Sequence, residues 1–316
     1  MQKRRLGKTG LEVSPLTLGG NVFGWTIDEK KSFEILDAWV GAGFNFIDTA
    51  DVYSAWAPGN KGGESETIIG NWMKSRGNRD KIIISTKVGS EMGPGKKGLS
   101  KGYIPEAAEA SLRRLQTDYI DLYQSHWPDD ETPHEESLAA YAQLLKEGKV
   151  RAIGTSNFSA QQLADSLEAS RKNNLPFYQT LQPLYNLYDR AVFEKDLEKI
   201  CLDNNLGVIN YYSLASGFLT GKYRTESDFS KSARGGGVKK YLNERGLRIL
   251  KSLDEVSGRF NSTPASVSIA WLLSRPAITA PIASATSVDQ LKGLTEAAEL
   301  QLDKEAIELL NTASAE

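Results

Sequence analysis

The sequence predicts a parallel (β/α)8 barrel, and three observations predict it. Short apolar runs alternate with amphipathic stretches eight times along the chain. No low-complexity linker divides the 316 residues, a length that suits one barrel domain spanning 1–316. The first apolar run leads into "LTLGGNVFG", which is not the G-x-G-x-x-G turn that a doubly wound sheet would place there.

Taken in order, "KRRLG…LEVSP" predicts a hairpin that pairs 3–6 with 11–13 around "GKTG" and caps the bottom of the barrel. The barrel strands are expected at 16–18, 44–47, 82–85, 119–123, 150–154, 180–182, 207–211 and 278–282. Between them a 3.6-residue apolar period predicts helices over 30–42, 64–74, 105–115, 133–145, 160–172, 193–204 and 241–260. Several open on Pro or an acidic first turn and stop at Gly43, Gly77, Gly148 or Asn204 and Asn205. The interval from 211 to 278 is longer than one helix needs, and it holds a loop, the long helix and an extra helix near 264–273.

Composition narrows the partners. Lys and Arg total 38 against 40 Asp and Glu, a net charge of −2, so no basic field points to nucleic acid or an anionic membrane. Cys201 is the single cysteine, which excludes an internal disulfide and makes a reducing cytoplasm the expected location. The basic opening "MQKRRLGKTG" is not followed by an apolar core, so no secretory signal is expected. No run approaches the ~20 apolar residues of a membrane helix. No pattern specifies an oligomeric state.

In a barrel of this kind the active site lies at the C-terminal ends of the strands, so the polar residues just past each apolar run are informative. The second strand gives Asp48 and then Tyr53, the third Lys87, the fourth His126 beside Trp127. The fifth gives Ser156 and Asn157, the sixth Gln182, the seventh Tyr211, the eighth Ser284, Thr286 and Gln290. A strand-end lysine is more often a solvated charge, and a lone histidine beside Trp more often a packed one. Their recurrence at successive strand ends favours a site.

Through "FIDTADVY", "STK" and "QSHWPD" the chain resembles the aldo-keto reductase family, and the resemblance spans nearly its whole length, from "RRLGKTGLEVSPLTLGG" to "IASATSVDQL". The resemblance implies a barrel-borne reductase of small carbonyl compounds that uses NADPH, with Asp48, Tyr53, Lys87 and His126 as its catalytic tetrad. In that scheme Tyr53 is the general acid, Lys87 lowers the cost of its phenolate, Asp48 holds Lys87, and neutral His126 fixes the carbonyl oxygen. Ser156, Asn157 and Gln182 would meet the nicotinamide carboxamide, with Asp48 at its edge and Tyr211 stacked on the ring. The pyrophosphate would follow the loop of Leu214, Ser216, Gly217, Leu219 and Lys222, and the adenosine end would reach Ser284, Thr286 and Gln290.

Two departures bear on this. The stacking tyrosine is followed by Tyr212-Ser213-Leu214 where many relatives have Ser-Pro-Leu. Thr286 stands where NADPH-strict members carry Arg or Lys; NADPH remains the expected coenzyme, and neutral hydroxyls leave NADH open. "RGGG" at 234–237 is either a lid that brings Arg234 to the pyrophosphate or a plain surface loop. "GFLTGKY" lacks the spacing and the Ser or Thr of a nucleotide triphosphate loop. His126 and His134 are not at zinc spacing, so no metal site is expected. Ser156 has no base in a triad-like order. Trp25, Trp56 and Trp127, carried by the first loops, either line an aromatic substrate pocket at the mouth or pack in the core. The second function class is a coenzyme-binding regulatory subunit with little turnover, since potassium-channel β subunits resemble the same family.

Overall fold

The structure is a computed structural model that describes residues 2–231 and 235–315. Its opening hairpin joins β1 (Arg4–Arg5) to β2 (Glu12–Val13) antiparallel, with Arg4 opposite Val13 and Arg5 opposite Glu12. The hairpin plugs the bottom of the sheet. Leu6 and Val13 pack with Phe46, Leu122, Ala152, Ile209 and Ala280, and the Arg4 guanidinium donates to the carbonyls of Leu273, Ile278 and Thr279. Position 7 requires glycine: its φ is +53, and a Cβ would fall 2.4 Å from the Gly207 nitrogen.

Eight parallel strands follow: β3 (Thr17–Gly19), β4 (Phe46–Asp48), β5 (Ile83–Val88), β6 (Ile120–Ser125), β7 (Val150–Ser156), β8 (Thr180–Gln182), β9 (Gly207–Val208) and β10 (Ile282–Ala283). Their order is β10-β3-β4-β5-β6-β7-β8-β9. The ends of this row meet, because Val208 bridges Ile278 in parallel and the Ile282 amide donates to the Asn210 carbonyl at 2.9 Å. A (β/α)8 barrel results.

Its helices are α1 (Glu29–Gly41), α2 (Glu64–Arg76), α3 (Tyr103–Leu115), α4 (His134–Lys146), α5 (Ala160–Asn173), α6 (Glu198–Asn204), α7 (Glu244–Arg259), α8 (Pro264–Leu273), α9 (Val288–Ala297) and α10 (Lys304–Ser314). Side-chain oxygens of Asp28, Ser159, Asn243, Thr263, Ser287 and Asp303 cap the first turns of α1, α5, α7, α8, α9 and α10. α8 packs against α9 and α9 against α1, while the long α7 lies on α8 and α10. The extra layer near the C-terminal end is therefore α7 with α10, and α8 takes the place beside the barrel. Trp39, Trp72 and Trp271 are fully buried between strands and helices. Among the described residues no helix is long and apolar enough to cross a membrane.

Candidate active site

Alternation along the strands decides which side chains enter the barrel. In β5 it turns Ile83, Ser85 and Lys87 to one face, and register sets Ser85 beside Asp48 of β4 and Lys87 beside Gln124 of β6. The chain after Asp48 keeps following β5: the Thr49 amide donates to Ser85 O at 2.8 Å and the Asp51 amide to Lys87 O at 3.3 Å. A turn then brings Tyr53 back, and Ser54, at φ +74, anchors it by donating its hydroxyl to Phe23 O at 2.7 Å.

The Lys87 ammonium has three donors and all three are used. Nζ lies 2.6 Å from Asp48 Oδ2, 2.7 Å from Thr49 O and 2.9 Å from Tyr53 Oη. Asp48 Oδ1 accepts from Gln182 Nε2 at 2.9 Å and from Ser85 Oγ at 3.1 Å, and Ser85 Oγ accepts from Gln124 Nε2 at 2.8 Å. Lys87 and Asp48 are buried. Burial acts to lower the Lys87 pKa, but Asp48 and Tyr53 together outweigh it and hold it above its ordinary value.

Tyr53 departs in one respect from the simple expectation of an acidified phenol. Burial pushes its pKa up; Lys87 pulls it down and Asp48 adds to the rise, leaving it above the ordinary range. The phenol thus keeps its proton at neutral pH, and Lys87 is placed to stabilise the oxygen when that proton leaves.

His126 follows β6, its amide donating to Val88 O at 2.8 Å. Its ring meets Tyr53 edge to face at 6.0 Å and stacks on Trp127 at 5.7 Å, with Nδ1 3.1 Å from Ser90 Oγ. Burial, and then the charge of Lys87, depress its pKa well below the usual histidine value, so the ring is neutral at neutral pH. Trp56 stands against Tyr53 at 5.9 Å and against Trp25 at 5.6 Å.

A second group continues from the first. Asn157, at φ +61, donates from Nδ2 to His126 O at 2.9 Å and to Ser156 Oγ at 3.1 Å, and its Oδ1 accepts from the Tyr211 hydroxyl at 2.6 Å. Ser156 Oγ donates to Gln182 O at 2.9 Å. Gln182 directs its Nε2 at Asp48. The loop of Leu214, Ser216, Gly217 and Leu219 is tightly wound: Ala215, Ser216 and Gly217 take φ of 48, 58 and 94°, and the Gly217 and Leu219 amides both donate to Leu214 O. A Cβ on Gly217 would lie 3.4 Å from Lys222 Nζ, so an ammonium sits over this turn, and a glycine leaves room there for a phosphate. Leu219 is fully buried and can offer only its backbone.

The remaining residues form separate pairs. Ser284 Oγ donates to Asn21 Oδ1 at 2.7 Å, which brings in a residue the sequence did not single out. Thr286 donates from N and Oγ1 to Gln290 Oε1 at 3.0 and 3.1 Å, at the start of α9. Arg234 lies outside the described residues; Gly235, next to it, is buried and begins a turn over Gly235–Tyr241. The signal for Ser85 and Gln124 was present in the sequence: both are polar, in step with Lys87 and His126 at period two.

A sequence model described as Aldo/keto reductase family matches residues 15–315. "Uncharacterized oxidoreductase YrpG" of Bacillus subtilis is 36% identical, the match covering 98% of this chain and 95% of the relative. "Aldo-keto reductase YhdN" of the same organism is 33% identical over 99% and 93%. "Probable voltage-gated potassium channel subunit beta" of Arabidopsis thaliana is 34% identical over 92% and 89%.

Proposed function

Because the chain belongs to the aldo/keto reductase family, we propose that it reduces an aldehyde or ketone to the alcohol with NADPH, Tyr53 acting as general acid. The observation that carries this is the Lys87 ammonium held 2.6 Å from Asp48 and 2.9 Å from the Tyr53 oxygen in a buried site. NADPH, when bound, supplies a hydride to the carbonyl carbon. The oxygen then needs a proton, and a phenol gives one up when its anion is stabilised. Lys87 does that; Asp48 keeps Lys87 charged and aimed. His126, neutral and edge-on to Tyr53, orients the carbonyl oxygen towards the phenol.

The residues present fit the coenzyme. Tyr211 is fixed through Asn157 and offers a ring to stack on, and the Gly217 turn under Lys222 suits a pyrophosphate. Ser284, Thr286 and Gln290 are the groups for the adenosine end. They are uncharged, so NADH would be accepted less well than NADPH but not refused.

A second reading is favoured by the likeness to the channel β subunit: a regulatory protein that binds the coenzyme and turns over little. A panel of aldehydes, ketones and sugars, assayed with both coenzymes, separates the two. Turnover of at least one carbonyl class supports the reductase. Tight coenzyme binding with negligible turnover throughout supports the regulator.

A further inference from the structure

One acid beside this site has no part in the chemistry above. Asp51 lies between Asp48 and Tyr53 in the loop that joins them, and its amide is bonded to the carbonyl of Lys87 itself. Its side chain is 1% exposed. Neither carboxyl oxygen has a hydrogen-bond partner among the described residues.

Its surroundings explain why. The charged groups that face it are Glu66 of α2, Arg114 of α3 and Lys87 of β5, with the phenols of Tyr103, Tyr123 and Tyr141 from α3, β6 and α4. Both cations are already matched: Lys87 pairs with Asp48 at 2.6 Å, and Arg114 Nε pairs with Glu66 Oε2 at 2.6 Å. The other Glu66 oxygen accepts from Thr86 at 2.6 Å. Three carboxyls therefore share two cations, and among the described residues Asp51 is the one left without a cation of its own, with only the Val52 amide turned towards it. A buried carboxylate in that position is very unfavourable, and a neutral acid costs far less.

We propose that Asp51 is a positioning residue for the reduction: held as a neutral acid behind Lys87, it leaves the field of that ammonium to Tyr53, and its ionisation switches reduction off. An anion at Asp51 would cancel part of the field that stabilises the Tyr53 oxygen as its proton leaves. It would also be an unsolvated charge in the loop that carries Tyr53, and would favour displacement of that loop. The proton lost from Asp51 goes to solvent, and no other bond changes. Burial, and next the charge of Glu66, push the Asp51 pKa up to about 8, against the pull of Arg114, the Val52 amide and Lys87. The switch therefore falls just above neutral pH.

Asp51→Asn keeps the shape of the neutral acid and has no proton to lose. The experiment compares kcat/KM for an aldehyde with NADPH, in wild type and variant, from neutral to alkaline pH. Wild type should fall by about tenfold per pH unit once past the Asp51 pKa. Asp51→Asn should match wild type at neutral pH and stay level where wild type falls. An alkaline limb retained in Asp51→Asn, or missing from wild type, overturns the proposal. Should the variant not fold, infrared titration of the wild-type protein decides. A neutral-carboxyl C=O band that vanishes as pH passes about 8 is expected, and a protein with no such band at neutral pH overturns the assignment. The inference rests on the proposed reductase activity, and the two fail differently: no turnover of any carbonyl defeats the activity, while turnover with unchanged limbs in both proteins defeats the role of Asp51.

Discussion

Tyr53→Phe isolates the proton from everything else the site does. The substitution removes one oxygen, 2.9 Å from Lys87 Nζ, and leaves the ring that meets His126 at 6.0 Å and Trp56 at 5.9 Å. Lys87 keeps its bonds to Asp48 at 2.6 Å and to Thr49 O at 2.7 Å, so the ammonium remains paired. The lost hydrogen bond to a charged group is worth about 1.5–3 kcal/mol, an upper bound on the stability change because the buried hydroxyl goes with it. The expected shift in melting temperature is then a few degrees. The catalytic effect is larger, roughly 10²–10⁴ in turnover, or about 3–5 kcal/mol of barrier. Coenzyme affinity should hold within about threefold, since neither Tyr211 nor the Gly217 turn is touched. Steady-state reduction of the best carbonyl in the panel gives the first quantity, and calorimetric titration with NADPH the second. Turnover within about threefold of wild type would refute the assignment of the general acid. Lost coenzyme binding would show that the substitution reaches beyond the proton and would refute the separation of the two sites.

Three further outcomes follow from the same contacts. Lys87→Met strips a buried carboxylate of its cation and leaves it Gln182 and Ser85 as strong donors; stability should fall by about 3–5 kcal/mol, and turnover at least as far as in Tyr53→Phe, with the double variant no worse than the lower single. An unchanged melting curve would show that the pair is not coupled to folding. Thr286→Arg should raise the preference for NADPH over NADH by roughly tenfold through a charge-assisted contact, and an unaltered ratio would place the 2′-phosphate elsewhere. Asp51 makes stability depend on pH. Its carboxyl titrates from the ordinary value of 3.8 in the unfolded chain and near 8 in the fold, so between these values the unfolded chain binds fewer protons. Stability is therefore lost as pH rises through that window, by at most about 1.4 kcal/mol per unit. Chemical denaturation at several pH values should show this slope in wild type and not in Asp51→Asn.

The apolar rhythm of the chain touched every barrel strand but placed their ends poorly: the eighth, expected over 278–282, is β10 at Ile282–Ala283, the seventh, expected to 211, is β9 and ends at Val208, and others were stopped too early. β5 was expected to end at 85 and runs to Val88; β7 was expected to end at 154 and runs to Ser156. The reason is physical. At the mouth of the barrel the inward face turns polar: Gln124 and Ser85 are buried there bonded to each other, and Lys87 bonded to Asp48, Thr49 O and Tyr53. Apolarity marks a strand only where the partners are apolar. β4 errs the other way, starting at Phe46 and not at 44, because Asn45 is occupied with the hairpin: its side chain accepts from the Ser14 amide and donates to Glu12 O. The π-helical turn over Phe193–Leu197 ahead of α6, and the place of α8 beside the barrel with α7 outside it, left no trace in the period. Both depend on what packs against the helix, and periodicity reports only which face is apolar.

The residues proposed for the chemistry were easier to find than the wiring between them, because each stands at a strand end and strand ends are readable one at a time. Partner choice is not. Gln182 could be assigned from its position to an amide-binding role beside the coenzyme, yet its Nε2 donates to Asp48, the acid that also takes Lys87. This joins the two halves of the site. Asn157, fixed by Tyr211 and bonded to His126 O, joins them a second time. Asp51 shows the same point more sharply. In the sequence "DTAD" offers two similar acids three positions apart, and nothing local distinguishes them. They differ because the fold supplies an ammonium to Asp48 and, among the described residues, gives Asp51 no cation that is not already paired. Protonation state is thus set by a count of charges that only the closed barrel brings together, and it makes one carboxyl of "DTAD" an anchor and the other a switch.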